Sequence, residues 1–508
     1  MKIFSTDQIK AIVQYTIEHE GITELDLIER AARGIADEIK KRWKPSKRTV
    51  VFAGWGNNGA DALAASRLLL AEGFDPEIYL FNIGGSRLGE DCKTCRDRLL
   101  EEFPNARLIE ITQKFDIPEL DNRTLVIDGL FGSGLNRALP QSFSVIIRSI
   151  NESNADIVSI DLPSGLFGDW NGNTINNNII HATLTIAIEF PRISFFIDDN
   201  AELIGEWTVV NIGLSPKAIR QAPYTFYLLT RNDVRRILQP RWPEHYKNAY
   251  GSALICAGSY GMMGAAVLAA RGCLRAGVGK LTCHAPRCGY YIMQTSVPSA
   301  MFDLDPHDVA ISEITLKHDF KAVGIGPGIG TGDITINALE NFLKLANANG
   351  RALVLDADAL NCIALRPLML NYLPVMSVLT PHAGEFDRLF GAQGSAEARL
   401  RKAMEIAQTY NVVIVLKGRY TAVVRPDGKV HLNSSGSPAL ATAGSGDVLT
   451  GVITALMAQD YKPETAAIIG AFIHGVAGEI SEMTHGTYGT TAEDIADNIG
   501  RAIKQIME

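Results

Sequence analysis

Apolar residues change their spacing along this chain, and the changes mark its elements. Over residues 25–39 they recur three and four apart, the period of a helix with one buried face, and Ser5 stands where an N-cap would open an earlier helix; residues 1–45 are predicted helical. Residues 49–53 then form a short unalternated apolar run, 54–59 a glycine turn, and 60–70 a helix stopped at Gly73. Further apolar runs at 77–81, 124–128, 156–161 and 182–188 also lack polar alternation, as expected of parallel strands covered on both faces. Pattern fades between Asn211 and Pro243, where prolines stand at 216, 223, 240 and 243. The boundary falls within 216–225, dividing the chain into domains 1–215 and 216–508, the second opening on a helix over 231–238.

The second half repeats the grammar of strand, glycine turn and helix. Runs at 251–259, 280–284, 322–326, 352–358, 378–382 and 412–417 each end in turn residues, and 421–424 with 429–432, joined through Pro-Asp-Gly, reads as an appended hairpin. From Val448 the positions Val448, Leu449, Val452, Ile453, Leu456 and Met457 follow helical spacing, so Ala443-Gly-Ser-Gly-Asp-Val-Leu-Thr-Gly451 is a glycine loop opening a helix. The prediction is an α/β chain of two three-layer domains.

Composition narrows the function classes. At 508 residues the chain exceeds one ordinary core, and 46% hydrophobic with 20% charged residues is the balance of a globular protein. No run of about 18 uncharged apolar residues occurs and the N-terminus lacks a secretory h-region, so no membrane span and a cytoplasmic location are expected. A net charge of −8 with no basic stripe argues against nucleic-acid partners. Seven scattered cysteines fit a reduced compartment, and the one close pair, Cys92-Lys-Thr-Cys95, reads as two residues one helical turn apart.

Candidate chemistry collects where strands end. Asn57-Asn58-Gly59-Ala60-Asp61 follows the first strand of the first half, Asp128-Gly-Leu-Phe-Gly132-Ser133-Gly134-Leu135-Asn136-Arg137-Ala138 a later one, and Asp161-Leu-Pro-Ser164-Gly165 another. Each is also ordinary turn chemistry. Together, side-chain oxygens of Asn58, Asp128 and Ser164 can converge on a hard monovalent cation, the 132–138 loop can wrap a phosphate-bearing ligand, and Asp161 offers a carboxylate for proton transfer. In the second half, Lys417 leaves a buried strand about thirty residues before Gly-Ser-Gly-Asp, His382 follows a Pro-fixed turn as ligand contact or cap, and Asp356 and Asp358 can cap a helix or hold Mg²⁺. Asp447, ionised at a helix start, would repel a phosphate; it reads either as an N-cap or as the acceptor of a substrate hydroxyl proton. A Walker loop is absent, and Gly54-Trp-Gly-Asn-Asn-Gly59 lacks the acidic ribose contact of a dinucleotide fingerprint.

With Gly326-Pro-Gly328, Leu379-Thr-Pro-His-Ala-Gly-Glu385, Lys417-Gly-x-x-Thr421 and the 443–451 loop assembled in order, the chain resembles the bifunctional repair enzymes for hydrated nicotinamide cofactors. The resemblance implies an N-terminal Rossmann-like NAD(P)H-hydrate epimerase domain and a C-terminal ribokinase-like, ADP- or ATP-dependent NAD(P)H-hydrate dehydratase domain. It implies that Lys417, Gly418, Arg419, Tyr420, Thr421 and Gly446 contact the nucleotide, accompanied by Mg²⁺, and that Ala265, Gly328, His382 and Asp447 contact the hydrate, with Asp447 as base. On the epimerase side it implies that residues 57–61, 132–138 and Asp161 line the hydrate site, that Asn58, Asp128 and Ser164 bind K⁺, and that Asp161 is the acid/base. The family usually reads Asn-Asn-Gly-Gly-Asp-Gly where this chain has Ala60 and Ala62, so the Ala60 methyl is expected to crowd the ligand. The rival reading is a ribokinase-like small-molecule kinase with a non-catalytic N-terminal binding module. A homo-oligomer, tetramer or larger, is expected.

Overall fold

In the computed structural model, residues 1–135, 137–172 and 178–508 are described. Two units result, Ile3–Tyr224 and Thr225–Glu508, the latter joined by Met1–Lys2. The boundary therefore lies at Tyr224 and not at residue 215: the helix Pro216–Gln221 packs Ala218 and Ile219 into the N-terminal core. The two-residue strand β1 (Lys2–Ile3) belongs to the C-terminal sheet, and the N-terminal unit contains β2 (Arg48–Ala53), β3 (Glu77–Phe81), β4 (Leu108–Ile111), β5 (Thr124–Gly129), β6 (Asp156–Ile160), β7 (Leu184–Ile188) and β8 (Glu206–Val210). They form one sheet in the order β4-β3-β2-β5-β6-β7-β8, parallel throughout.

Alternate residues of each central strand serve different layers. Val51 and Ala53 join Ile35, Leu63 and Ile127 in one core, while Val50 and Phe52 join Phe81, Phe143 and Ile147 in the other. Burial of both faces is why these strands carry no polar alternation. The sheet grows outward in both directions from β2 and β5, which places a topological switch point, and so a ligand crevice, beyond their carboxyl ends.

The C-terminal unit adds β9 (Phe226–Leu229), β10 (Ser252–Cys256), β11 (Lys280–Ala285), β12 (Met301–Leu304), β13 (Ala322–Ile325), β14 (Val354–Leu355), β15 (Val378–Leu379), β16 (Val413–Leu416), β17 (Ala422–Val424) and β18 (Val430–Asn433). The sheet order is β1-β9-β18-β17-β16-β15-β14-β13-β10-β11-β12, with its switch point between β10 and β13. The expected hairpin is present: β17 pairs antiparallel with β16 and β18, Val423 opposite His431. One face is covered by the helices Met263–Arg275, Ser445–Ala458, Pro463–Gly489 and Ala492–Met507. The first two cross in close contact, since a Cβ on Gly451 would lie 2.0 Å from Ala269 O and one on Gly272 2.4 Å from Val448 O. Helix Pro463–Gly489 is long and apolar enough to cross a membrane by composition, but 78% of that window is buried inside the protein.

The strands that sequence pattern passed over include β4, β8 and β12, whose residues are largely half-exposed or exposed. Edge strands mix polar with apolar residues and leave no continuous apolar run. Cys92 and Cys95 lie buried on the helix Glu90–Glu102, one turn apart, as free thiols.

Candidate active sites

Beyond β2 and β5 lies a cavity of about 720 Å³. The helix begins at Asn57, one turn before the predicted start, with Gly56 as N-cap. Helical phase then turns Asn57, Asn58 and Asp61 toward the cavity, whereas Gly59 and Ala60 do not line it. Ala60 is fully buried in the core, so the expected crowding of a ligand by its methyl group does not arise. Gly132, Ser133, Gly134, Leu135, Arg137, Ala138 and Asp161 line the cavity as expected; Asn136 lies outside the described residues.

Under this floor sits Asp128, at the end of β5 and inaccessible to solvent. Its Oδ1 accepts from Ser164 Oγ at 2.5 Å, and its Oδ2 from Ser159 Oγ at 2.8 Å and the Ser164 amide at 2.9 Å. Burial nevertheless raises its pKa, outweighing these hydrogen bonds. Ser164 Oγ also accepts from the Phe131 amide at 2.9 Å and lies 3.2 Å from Phe131 O, while Gly132 abuts Asn58: a Cβ there would lie 3.0 Å from Asn58 Oδ1 and 3.1 Å from Asp161 Oδ2. Asn58 and Ser164 thus flank the turn at 131–132, with Asp128 bonded to Ser164 behind it. The Asn58 amide nitrogen is buried with no hydrogen-bond partner.

Asp161 follows β6 in the left-handed region, φ 63°, and its Oδ2 accepts from the Ser133 amide at 3.0 Å. Its Oδ1 is 2.6 Å from Arg192 Nη2, a residue that sequence reasoning missed because one arginine in a loop leaves no periodic signal. Burial pushes the Asp161 pKa up, but the charge and hydrogen bonds of Arg192 and the Ser133 amide outweigh it and hold the carboxyl below its usual range. Asp61, on the same cavity, is driven the other way, by burial first and then by the charges of Asp161 and Glu24. The pKa values of the two carboxyls are thus pushed apart, Asp61 upward and Asp161 downward.

In the C-terminal unit the helix Ser445–Ala458 starts behind Gly444, φ 87°, with Asp447 in its first turn. The loop is fixed from below by His474, buried mid-helix and absent from the sequence prediction, whose Nε2 lies 2.9 Å from Ser445 O. Burial lowers the His474 pKa to about 4, so the ring is neutral and donates. Lys417 Nζ pairs with Asp356 Oδ1 at 2.8 Å, and Thr450 Oγ1 donates to Asp356 Oδ2 at 2.7 Å. A Cβ on Gly446 would lie 3.1 Å from Lys417 Nζ, so the loop glycine and the strand-end lysine face each other directly.

Asp447 forms no ion pair among the described residues. Burial raises its pKa to about 7, helped by the nearby charges of Asp356, Asp358 and Glu385 and opposed by Lys417. His382 caps the helix Ala383–Phe390, its Nδ1 accepting from the Gly384 amide at 3.0 Å, and its side chain remains 54% exposed. Gly328 meets Ala265, a Cβ there falling 3.0 Å from the Ala265 Cβ, and Ser259 Oγ donates to Gly328 O at 2.8 Å. Arg419 stacks over Tyr420 with its guanidinium 5.5 Å from the ring centre, and Thr421 Oγ1 reaches Gly418 O at 3.4 Å. Asp358 accepts from the Gly330 amide at 2.9 Å and Asp356 is committed to Lys417 and Thr450; among the described residues no group of three or more His, Cys, Asp or Glu could hold a metal.

Residues 253–501 match the NAD(P)H-hydrate dehydratase family, and residues 24–194 match the family described as YjeF-related protein N-terminus. The chain is 32% identical over 507 residues to the bifunctional NAD(P)H-hydrate repair enzyme of Moorella thermoacetica, covering 96% of this chain and 94% of that protein. It is 30% identical over 525 residues to the enzyme of the same name from Thermofilum pendens, covering 100% and 97%. Among solved structures it is similar to the ADP/ATP-dependent NAD(P)H-hydrate dehydratase of Bacillus subtilis co-crystallised with ATP/Mg²⁺, at TM-score 0.47 and 30% identity over 55% of this chain and 97% of that one. Similarity that runs through both halves at these identities has one consequence: the chain belongs to the family of bifunctional NAD(P)H-hydrate repair enzymes.

Proposed function

We propose that the two units act in succession on hydrated NADH and NADPH, the N-terminal one interconverting the R and S hydrates and the C-terminal one dehydrating the S hydrate with ADP or ATP. The observation that carries the dehydratase assignment is Asp447 itself, a half-buried carboxyl of raised pKa at a glycine-loop helix start, beside Lys417 and Gly446. Hydroxide is a poor leaving group and phosphate a good one. Asp447 takes the proton of the ring hydroxyl as its oxygen attacks the terminal phosphorus of the nucleotide; the bond from phosphorus to the departing nucleotide breaks. Loop amides at 444–447, at the positive end of the helix dipole, and the Lys417 ammonium offset charge on the transferring group. The ring nitrogen lone pair then expels phosphate, and loss of a proton from the adjacent ring carbon restores the double bond. Asp356 and Asp358 are engaged by protein groups, so the nucleotide phosphates themselves would hold Mg²⁺, which when bound would neutralise part of their charge.

At the N-terminal site Asp161 is the acid/base. The hydrated carbon bears both the hydroxyl and the ring nitrogen, so removing the hydroxyl proton lets the carbon–nitrogen bond open to an aldehyde and an amine. Reclosure on the other face, with the proton returned, gives the other epimer. The oxygens of Asn58, Asp128 and Ser164 suit K⁺, which when bound would offset the buried Asp128 charge and fix the turn at 131–132.

The test is product analysis. Purified protein, S hydrate, Mg²⁺ and ADP or ATP should yield reduced cofactor and free phosphate in equal amounts; a stable phosphorylated compound with no recovered cofactor would establish the kinase reading instead.

A further inference from the structure

We infer that Arg192 is a positioning residue of the epimerase site, which holds Asp161 as a carboxylate and turns one of its oxygens away from the substrate, leaving the other at the Ser133 loop. The inference rests on the reading of Asp161 as the acid/base. Arg192 is 3% exposed and its Nη2 lies 2.6 Å from Asp161 Oδ1, yet its Nε and Nη1 are buried with no hydrogen-bond partner. A cation placed for stability alone would be expected to satisfy its donors, because each buried unpaired N–H is destabilising and a buried ion pair is weak evidence of net stabilisation. The partner is strained as well, since Asp161 is one of the few non-glycine residues here with positive φ. Three unfavourable features meet at one pair on the wall of the cavity beyond β2 and β5, where strain and unsatisfied groups mark function.

The chemistry explains the arrangement. An acid/base carboxyl must be dry enough to act on a hydroxyl, and dryness alone would protonate it; an adjacent guanidinium, charged at every relevant pH, removes that conflict. Other charged groups around the cavity are Asp61, Glu24 and Glu189, with Lys10, Arg87 and Arg137 at its more open parts, and Asp169 close to Arg192. Among the described residues none of these cations bonds to Asp161, and the contact is supplied by Arg192.

Carboxyl-region infrared difference spectra between the wild-type chain and Asp161→Asn, recorded across pH without substrate, give the protonation midpoint of Asp161. That midpoint should lie below the ordinary Asp value of about 3.9, rise by about one to three pH units in Arg192→Met, and stay low in Arg192→Lys. The acid limb of epimerisation should move up by the same amount in Arg192→Met, with epimerase activity retained at neutral pH reporting that the N-terminal unit is folded. A wild-type midpoint at or above the ordinary value overturns the inference even if no variant folds, and so does an unmoved midpoint in folded Arg192→Met. A midpoint that moves while the acid limb stays put supports the role of Arg192 and removes Asp161 as the acid/base.

Discussion

Replacing Asp447 by Asn should abolish dehydration and at the same time make the protein more stable at alkaline pH. Asp447 titrates near 7 in the fold, raised first by burial and then by Asp356, Asp358 and Glu385. In the unfolded chain it titrates near 3.9. Between these values the folded state binds a proton that the unfolded state has released, so stability falls as pH rises and levels off once the folded group ionises. From about pH 5 to about pH 7 this amounts to two pH units at about 1.4 kcal/mol each, so about 3 kcal/mol is lost. The Asn variant keeps the shape but has no proton to lose. Urea unfolding of both proteins at about pH 5 and about pH 8.5 isolates the term: the stability difference, variant minus wild type, should be about 3 kcal/mol larger at the higher pH. The wild-type dehydration rate should rise through a midpoint near 7 as the base form appears. Equal stability differences at the two pH values, with a rate flat from pH 5 to 8, would show that Asp447 is neither desolvated nor a base.

Lys417→Met strands the buried Asp356 carboxylate and should destabilise the C-terminal unit by about 3 kcal/mol while raising the KM for nucleotide, measured by denaturant unfolding and initial rates. Gly451→Ala puts a methyl 2.0 Å from Ala269 O, so the crossing helices must part; thermal unfolding should report a loss of about 2–3 kcal/mol. Gly132→Ala brings a Cβ within 3.1 Å of Asp161 Oδ2 and 3.0 Å of Asn58 Oδ1, and should depress epimerisation while leaving dehydration of the S hydrate at the wild-type rate.

The parts of this protein legible in its sequence are those where local chemistry and global position coincide. Central strands buried on both faces read as apolar runs, and the glycine-rich segments after them sit at the switch points because only there do strand ends face a crevice. Asn58, Asp128, Ser164 and Asp161 stand out in the sequence for that reason, as do Lys417 and Asp447. What was not legible depends on packing between distant segments. Arg192 meets Asp161 across 31 residues of chain and His474 supports Ser445 across 29, and neither spacing carries a pattern. Ala60 misled because its effect depends on helical phase: a start at Asn57 turns its methyl into the core. His382 was ambiguous between cap and ligand contact, and its Nδ1 is committed to the cap while most of the ring stays open.

One chain is expected to repair both epimers, the first site feeding the second. Supplying the pure R hydrate with Mg²⁺ and nucleotide, and following recovery of reduced-cofactor absorbance, tests it most directly. The wild-type chain should recover all of the cofactor, whereas Asp161→Ala, its dehydratase verified on the S hydrate, should recover it no faster than R converts to S without protein. Equal recovery by the two proteins would contradict the account, since the R hydrate would then reach the reduced cofactor without Asp161.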